Sequence, residues 1–143
     1  LELMTGGLSP EEALNKLLKE DPEKETRQVA IVDFKGRKAV FTGTDAPKYH
    51  AEIIGEDYVV IGNLLSRQRV VSSMAEQFGS SGGDLTWKMA KALRTGSKSG
   101  GDMRGEKSAA LIVVGAEKVE VKIKVDAHEN PVEELLRRLK PFW

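Results

Sequence analysis

The apolar positions of this chain fall into two periodicities, and the switches between them outline its elements. Leu8-Ser9-Pro10-Glu11-Glu12 opens a helix in which Ser9 caps, Pro10 takes the first helical position and Glu12 completes a capping box. Ala13, Leu14, Leu17 and Leu18 form its apolar stripe, and Asp21-Pro22 stops it near Glu20. Upstream, Leu1-Glu2-Leu3-Met4 reads as the tail of a helix that Gly6 or Gly7 terminates. Arg27 to Phe34 and Lys38 to Thr42 then form a hairpin turned at Lys35-Gly36, and Thr42-Gly43-Thr44-Asp45 is read as its closure. Ala51 to Ile54 and Tyr58 to Gly62 form a second hairpin around Gly55-Glu56-Asp57. These strands are apolar on both faces in places, which puts them between layers.

Helical spacing returns with Val70, Val71, Met74 and Phe78, with Ser66 as the expected cap. Gly79 to Gly83 reads as a flexible joint, and a helix from Asp84 to about Thr95 presents Leu85, Met89, Ala92 and Leu93. Lys107 to Val114 is a strongly apolar strand, Gly115-Ala116 turns the chain, and Val119 to Val125 alternates with Lys and Glu. Pro131 opens a last helix whose Val132, Leu135, Leu136 and Leu139 face inward, and Pro141 ends it. Hairpins with helices grouped between them do not make the parallel crossovers of a dinucleotide-binding fold. They predict an α+β protein with helices on both sides of stacked sheets. No repeat, low-complexity run or linker divides residues 1–143, so a single domain is expected.

Composition narrows the function classes. The chain has 143 residues, 22 basic and 22 acidic side chains, two His and no Cys. Zero net charge argues against a nucleic-acid partner, and no apolar run approaches the roughly 18 residues that span a bilayer. Without Cys there is no disulfide framework, thiolate nucleophile or Cys-ligated zinc. The absence of a signal-peptide pattern at the start favours the cytoplasm. No cofactor motif is present: Gly79 to Gly83 lacks the Lys-Ser/Thr pair of a phosphate loop.

Chemistry concentrates in Ser97-Lys98-Ser99-Gly100-Gly101-Asp102-Met103-Arg104-Gly105-Glu106-Lys107-Ser108. Its glycines permit backbone geometry and close approach denied to other residues. Asp102 and Arg104 can bracket a small polar ligand, or pair with each other and fix the loop. Arg104 can take a carboxylate bidentately, with Ser108 donating from the base of the strand. Gly100, Gly101, Arg104 and Lys107 are therefore the expected substrate-binding residues. Asn63, after the apolar strand ending at Gly62, can donate to an oxyanion or cap a turn. His50 and His128 with Asp126 offer only a weak metal constellation, and no metal site is assigned. Trp87 lies off the Leu85/Met89 stripe and Trp143 follows Pro141-Phe142, so either can mark a partner surface or make a core contact. From Lys88 to Lys107 there are six basic and two acidic residues, an excess of four that suits an anionic ligand or a solvated face.

Gly100 to Val114, G-G-D-M-R-G-E-K-S-A-A-L-I-V-V, resembles the signature of the DUF1028 family, whose fold is of the N-terminal-nucleophile (Ntn) hydrolase type. Leu8 to Pro22, Arg27-Gln28, Phe41-Thr42-Gly43, Gly62-Asn63 and Asp126 to Leu139 resemble further blocks of that family in the same order. The resemblance implies a four-layer α/β/β/α sandwich, of which this chain is the C-terminal two-thirds. The earlier segment, with the first two strands and a helix, would come from a companion chain, or the domain would be completed as a homo-oligomer. In an Ntn hydrolase an N-terminal Thr, Ser or Cys opens an amide through an acyl-enzyme. Leu1 cannot act so, and the nucleophile is expected outside this chain. Under that implication Asn63 supports the oxyanion, Asp102 and Arg104 orient the nucleophile or clamp a peptide or small amide, and Ser108 assists from behind. The rival expectation is a non-enzymatic binding or assembly protein on the same scaffold.

Overall fold

The computed structural model describes residues 1–140; Pro141, Phe142 and Trp143, including the expected stop and the second tryptophan, lie outside the described residues. The elements run α1 (Glu2–Thr5), α2 (Pro10–Glu20), β1 (Gln28–Val32), β2 (Lys38–Thr42), β3 (Ala51–Ile54), β4 (Val59–Gly62), α3 (Arg69–Ser80), α4 (Leu85–Lys98), β5 (Ala109–Val114), β6 (Val119–Val125) and α5 (Pro131–Leu139). The fold is mixed α+β, with three antiparallel hairpins, β1-β2, β3-β4 and β5-β6, as separate two-stranded sheets. No described helix is long and apolar enough to cross a membrane.

Local chemistry explains most boundaries. Ser9 and Glu12 form the full capping box at the start of α2. Gly7, at φ +100, carries the chain out of α1. The first hairpin turns on Asp33, whose carboxylate accepts from the Lys35 and Arg37 amides and from the Arg37 guanidinium. Thr42 to Asp45 does not close that hairpin. It leaves the far end of β2, where Thr44 donates through its amide and hydroxyl to Glu25 Oε2 and Gly43 presses on the Glu25 backbone.

Three helix boundaries differ from the sequence expectation, and at two of them tertiary contacts override local signals. Ser66 does not cap α3: its amide donates to Gly101 O at 2.9 Å, and the helix starts after Gln68. The supposed joint at Gly79 is helical, since α3 continues to Ser80. Likewise α4 runs through Gly96, which sits so close to the Met74 side chain of α3 that a Cβ would collide with it. The absent side chain lets α3 and α4 approach, which outweighs the roughly 1 kcal/mol that a helical Gly costs.

The core has two centres. One joins α4, β5, β6 and α5 through Ala90, Leu111, Ile123, Val125, Val132, Leu135, Leu136 and Leu139. Trp87 packs against it, so the first tryptophan is a core contact. The other places Val60 of β4 and Leu65 against Val70, Val71 and Ala75 of α3. Helix α2 packs on β1-β2 through the buried Ala13 and Leu14.

Helix α5 also carries a charge device. Glu134 accepts from both Arg137 and Arg138, and these bonds pull its carboxyl to about 2, from an ordinary 4.5. A lowered folded-state pKa adds stability above the unfolded value and loses it as pH falls through the folded one. Glu134→Gln should therefore flatten the stability-against-pH curve between about 4.5 and about 2 and leave the slope near neutrality unchanged, as read by thermal melts across pH.

Candidate functional site

The loop after α4 is built to hold one shape. Gly100 and Gly101 adopt φ +131 and +57, conformations that admit glycine and few other residues. Gly101 N returns to Gly96 O, and Gly101 O takes the Ser66 amide. Two residues on, Met103 N donates to Leu64 O at 2.8 Å, making a single antiparallel rung at Leu65 and Asp102. The segment after β4 and the segment before β5 are thus clipped together. Leu64 itself is at φ +52, a strained value for a branched aliphatic residue.

Within this clip Asp102 and Arg104 pair with each other. Arg104 Nε meets Asp102 Oδ1 at 3.0 Å and Nη2 meets Oδ2 at 2.7 Å, while the Arg104 amide also donates to Oδ1. Those hydrogen bonds hold the Asp102 carboxyl below the usual carboxylate range, and the same bonds, together with its charge, raise the Arg104 guanidinium in turn. Asp102 is therefore an anion at neutral pH and an orienting group. The guanidinium uses two of its five N–H donors on Asp102, which leaves three for an incoming acceptor.

Asp102, Arg104, Gly105, Glu106, Lys107 and Ser108 line a cavity of about 480 Å³. Four of the expected site residues, Asp102, Arg104, Lys107 and Ser108, thus share one wall. Gly100 and Gly101 do not line it. They form its scaffold, Gly100 against the Ser66 hydroxyl and Gly101 against the Glu106 carboxylate. Glu106 is fixed by Ser97 Oγ, which donates to Oε2 at 2.6 Å.

Asn63 is engaged elsewhere. Its Nδ2 donates to Gln28 Oε1 at 3.1 Å. Gln28 Nε2 donates to Thr42 Oγ1 and to Ala51 O, and the Thr42 hydroxyl donates to Glu52. This chain of side chains links β1 and β2 to β3 and to the end of β4. Nothing in the spacing of Gln28, Thr42, Glu52 and Asn63 signals it; the one sequence cue is that Gln28 and Thr42 are polar positions in apolar strands. His128 Nδ1 accepts the Asn130 amide, and His50 lies against Pro47 O just before β3. Among the described residues no three His, Asp or Glu side chains gather into a metal-binding group.

The family model described as "Family of unknown function (DUF1028)" matches residues 1–135. The crystal structure of protein SPO2555 from Silicibacter pomeroyi, of the same family, superposes with a TM-score of 0.88 at 26% identity. The match covers 98% of this chain and 63% of that one, so the chain spans less than two-thirds of its relative's length. No curated protein matches the chain.

Proposed function

The chain belongs to the DUF1028 family, and on that footing we propose that it is part of an Ntn-type amide hydrolase, acting on a peptide or an amidated small molecule, whose nucleophile lies outside these 143 residues. The hairpins and their covering helices would then be one portion of a four-layer α/β/β/α domain, completed by further residues of the polypeptide, a companion chain or a second copy. In this reading the nucleophile attacks the amide carbon, the amine departs with a proton, and water releases the acyl group.

The observation that carries the reading is the polar cavity at the clip, lined by two oriented carboxylates, Asp102 and Glu106, two cations and a hydroxyl. Arg104 and Lys107 suit the carboxylate of an N-acyl amino acid or short peptide, while Asp102 keeps Arg104 aimed. Gly100 and Gly101 support that wall, and Ser108 donates to the bound group. Asn63 keeps one of its two amide protons for an oxyanion after serving Gln28. A cytoplasmic setting and the absence of a nucleic-acid or membrane partner belong to this proposal as well.

The second reading is a binding or assembly protein on the same scaffold. It is favoured by the mutual engagement of Asp102 and Arg104, an arrangement that fixes the loop without any ligand. Steady-state hydrolysis of N-acetyl dipeptides by the protein expressed from its complete coding sequence separates the two. The hydrolase reading expects turnover, with KM raised about tenfold to a hundredfold by Arg104→Ala, the loss of one charged hydrogen-bonding partner. Dipeptide binding without any turnover supports the second reading and overturns the first.

A further inference from the structure

Both Nε2 protons of Gln28 are used inside the protein. This half-buried residue of β1 donates to Ala51 O at 3.1 Å and to Thr42 Oγ1 at 3.3 Å. A backbone carbonyl only accepts, so Ala51 O decides which end of the Gln28 amide is nitrogen. Oε1 is therefore the end that meets Asn63, 3.1 Å from its Nδ2. An oxygen there demands a donor opposite, which fixes the Asn63 amide in turn. Nδ2 faces Gln28, and Oδ1 is left without a partner among the described residues, on a residue exposed to solvent.

The bonds also run one way. Asn63 donates to Gln28, Gln28 to Thr42, and the Thr42 hydroxyl to Glu52 Oε2. Bonds in such a chain polarise one another, and an amide that donates through its nitrogen accepts more strongly through its oxygen. The chain thus ends outward on an acceptor, whereas an oxyanion needs only donors. Asn63 and Arg104 lie at the same end of the Leu65–Asp102 rung, each two residues from it on facing segments. Two residues of extended chain reach at most about 7 Å, so one small ligand can touch both.

We propose that Gln28 is a positioning residue, setting Asn63 to accept through Oδ1 the N–H beside a ligand carboxylate held by Arg104. The ligand class is then a secondary amide one carbon from a carboxylate, as at the C-terminus of a peptide. An ester, or a C-terminal proline, lacks that N–H and is refused. The proposal rests on the amide-ligand reading above and names the group such a ligand must carry.

Nitrogen–proton correlation spectra of the protein expressed from its complete coding sequence test the positioning without any ligand. One Asn63 Nδ2 proton is expected to show the weak temperature dependence of a bonded amide. Gln28→Met, similar in volume but without an amide, should abolish it. Thr42→Val should preserve it, because Ala51 O alone still orients Gln28. An Asn63 signal that ignores Gln28→Met overturns the positioning.

The ligand half is read by calorimetric binding of N-acetyl-Ala-Ala and N-acetyl-Ala-lactate, in which an ester oxygen replaces the N–H. The dipeptide is expected to bind about tenfold to a hundredfold more tightly, because the ester sets oxygen against oxygen. Gln28→Met should shrink that ratio to about threefold or less, since a freed Asn63 turns its nitrogen to the ester. A ratio unchanged by Gln28→Met, with both ligands weakened alike, marks Gln28 as structural only and overturns the positioning. Equal affinities in the unaltered protein, or binding of neither ligand, overturn the proposal. Preference for the dipeptide without turnover keeps the proposal and discards the hydrolase, and turnover with equal affinities does the reverse.

Discussion

Leu135→Ala is expected to lower stability by about 2–5 kcal/mol, a loss comparable with the whole margin of a small domain. Leu135 is fully buried, with 0% exposure, at the point where α5 meets the β5-β6 hairpin and α4. Truncation removes its transfer energy and leaves a cavity among Leu111, Ile123, Val125 and Leu139 that a helix pinned on one side by its neighbours fills poorly. Leu17 makes the control: it lies on the apolar stripe of α2 but is 48% exposed, so Leu17→Ala should cost well under half as much. Urea melts of the two variants decide it. Equal midpoint shifts would mean that α5 is not an anchor of the core.

That contrast also marks how far the sequence alone could be read. Periodicity separates helices from strands correctly here, because the stripe of α5 and the alternation of β6 follow directly from which face is covered. It cannot distinguish Leu17 from Leu14, since both satisfy the pattern and only the position of β1-β2 under α2 decides which is buried. Two of the departures share one cause. Ser66 resembles a cap and the pattern ends α4 before Gly96, yet each is governed by a residue remote in sequence, Gly101 for Ser66 and Met74 for Gly96. The candidate site divides in the same way. The density of Gly, Asp, Arg and Ser between residues 97 and 108 locates the cavity wall, because those residue types are local signals for a shaped polar loop. The link from Asn63 through Gln28 and Thr42 to Glu52 spans four elements, and no local signal encodes it.

The glycine at position 100 ties fold to site, and Gly100→Ala is expected to destabilise the protein by about 2–4 kcal/mol and to loosen the cavity wall. Two separate costs combine. At φ +131 an L-residue is held in a region that costs about 1–3 kcal/mol. The new Cβ is also driven onto the Ser66 hydroxyl, whose oxygen is buried and has no hydrogen-bond partner among the described residues. Relief requires the Ser66 hydroxyl to turn to another rotamer or the Ser66 backbone to shift, and a backbone shift pulls on its amide's bond to Gly101 O and on the rung that places Asp102 and Arg104. Ser66→Gly separates the terms, because it removes the collision and leaves the backbone strain. In a double-mutant cycle the pair should recover a measurable share of the loss, of order 1 kcal/mol, and the remainder reports the strain. Ser66→Ala should rescue by a similar amount, since it too removes the colliding hydroxyl and its Cβ, 3.5 Å from the new methyl position, is in ordinary van der Waals contact, while the backbone strain persists. Full additivity of Gly100→Ala and Ser66→Gly would show that the two residues do not bear on each other, and the clip would then rest on backbone conformation alone.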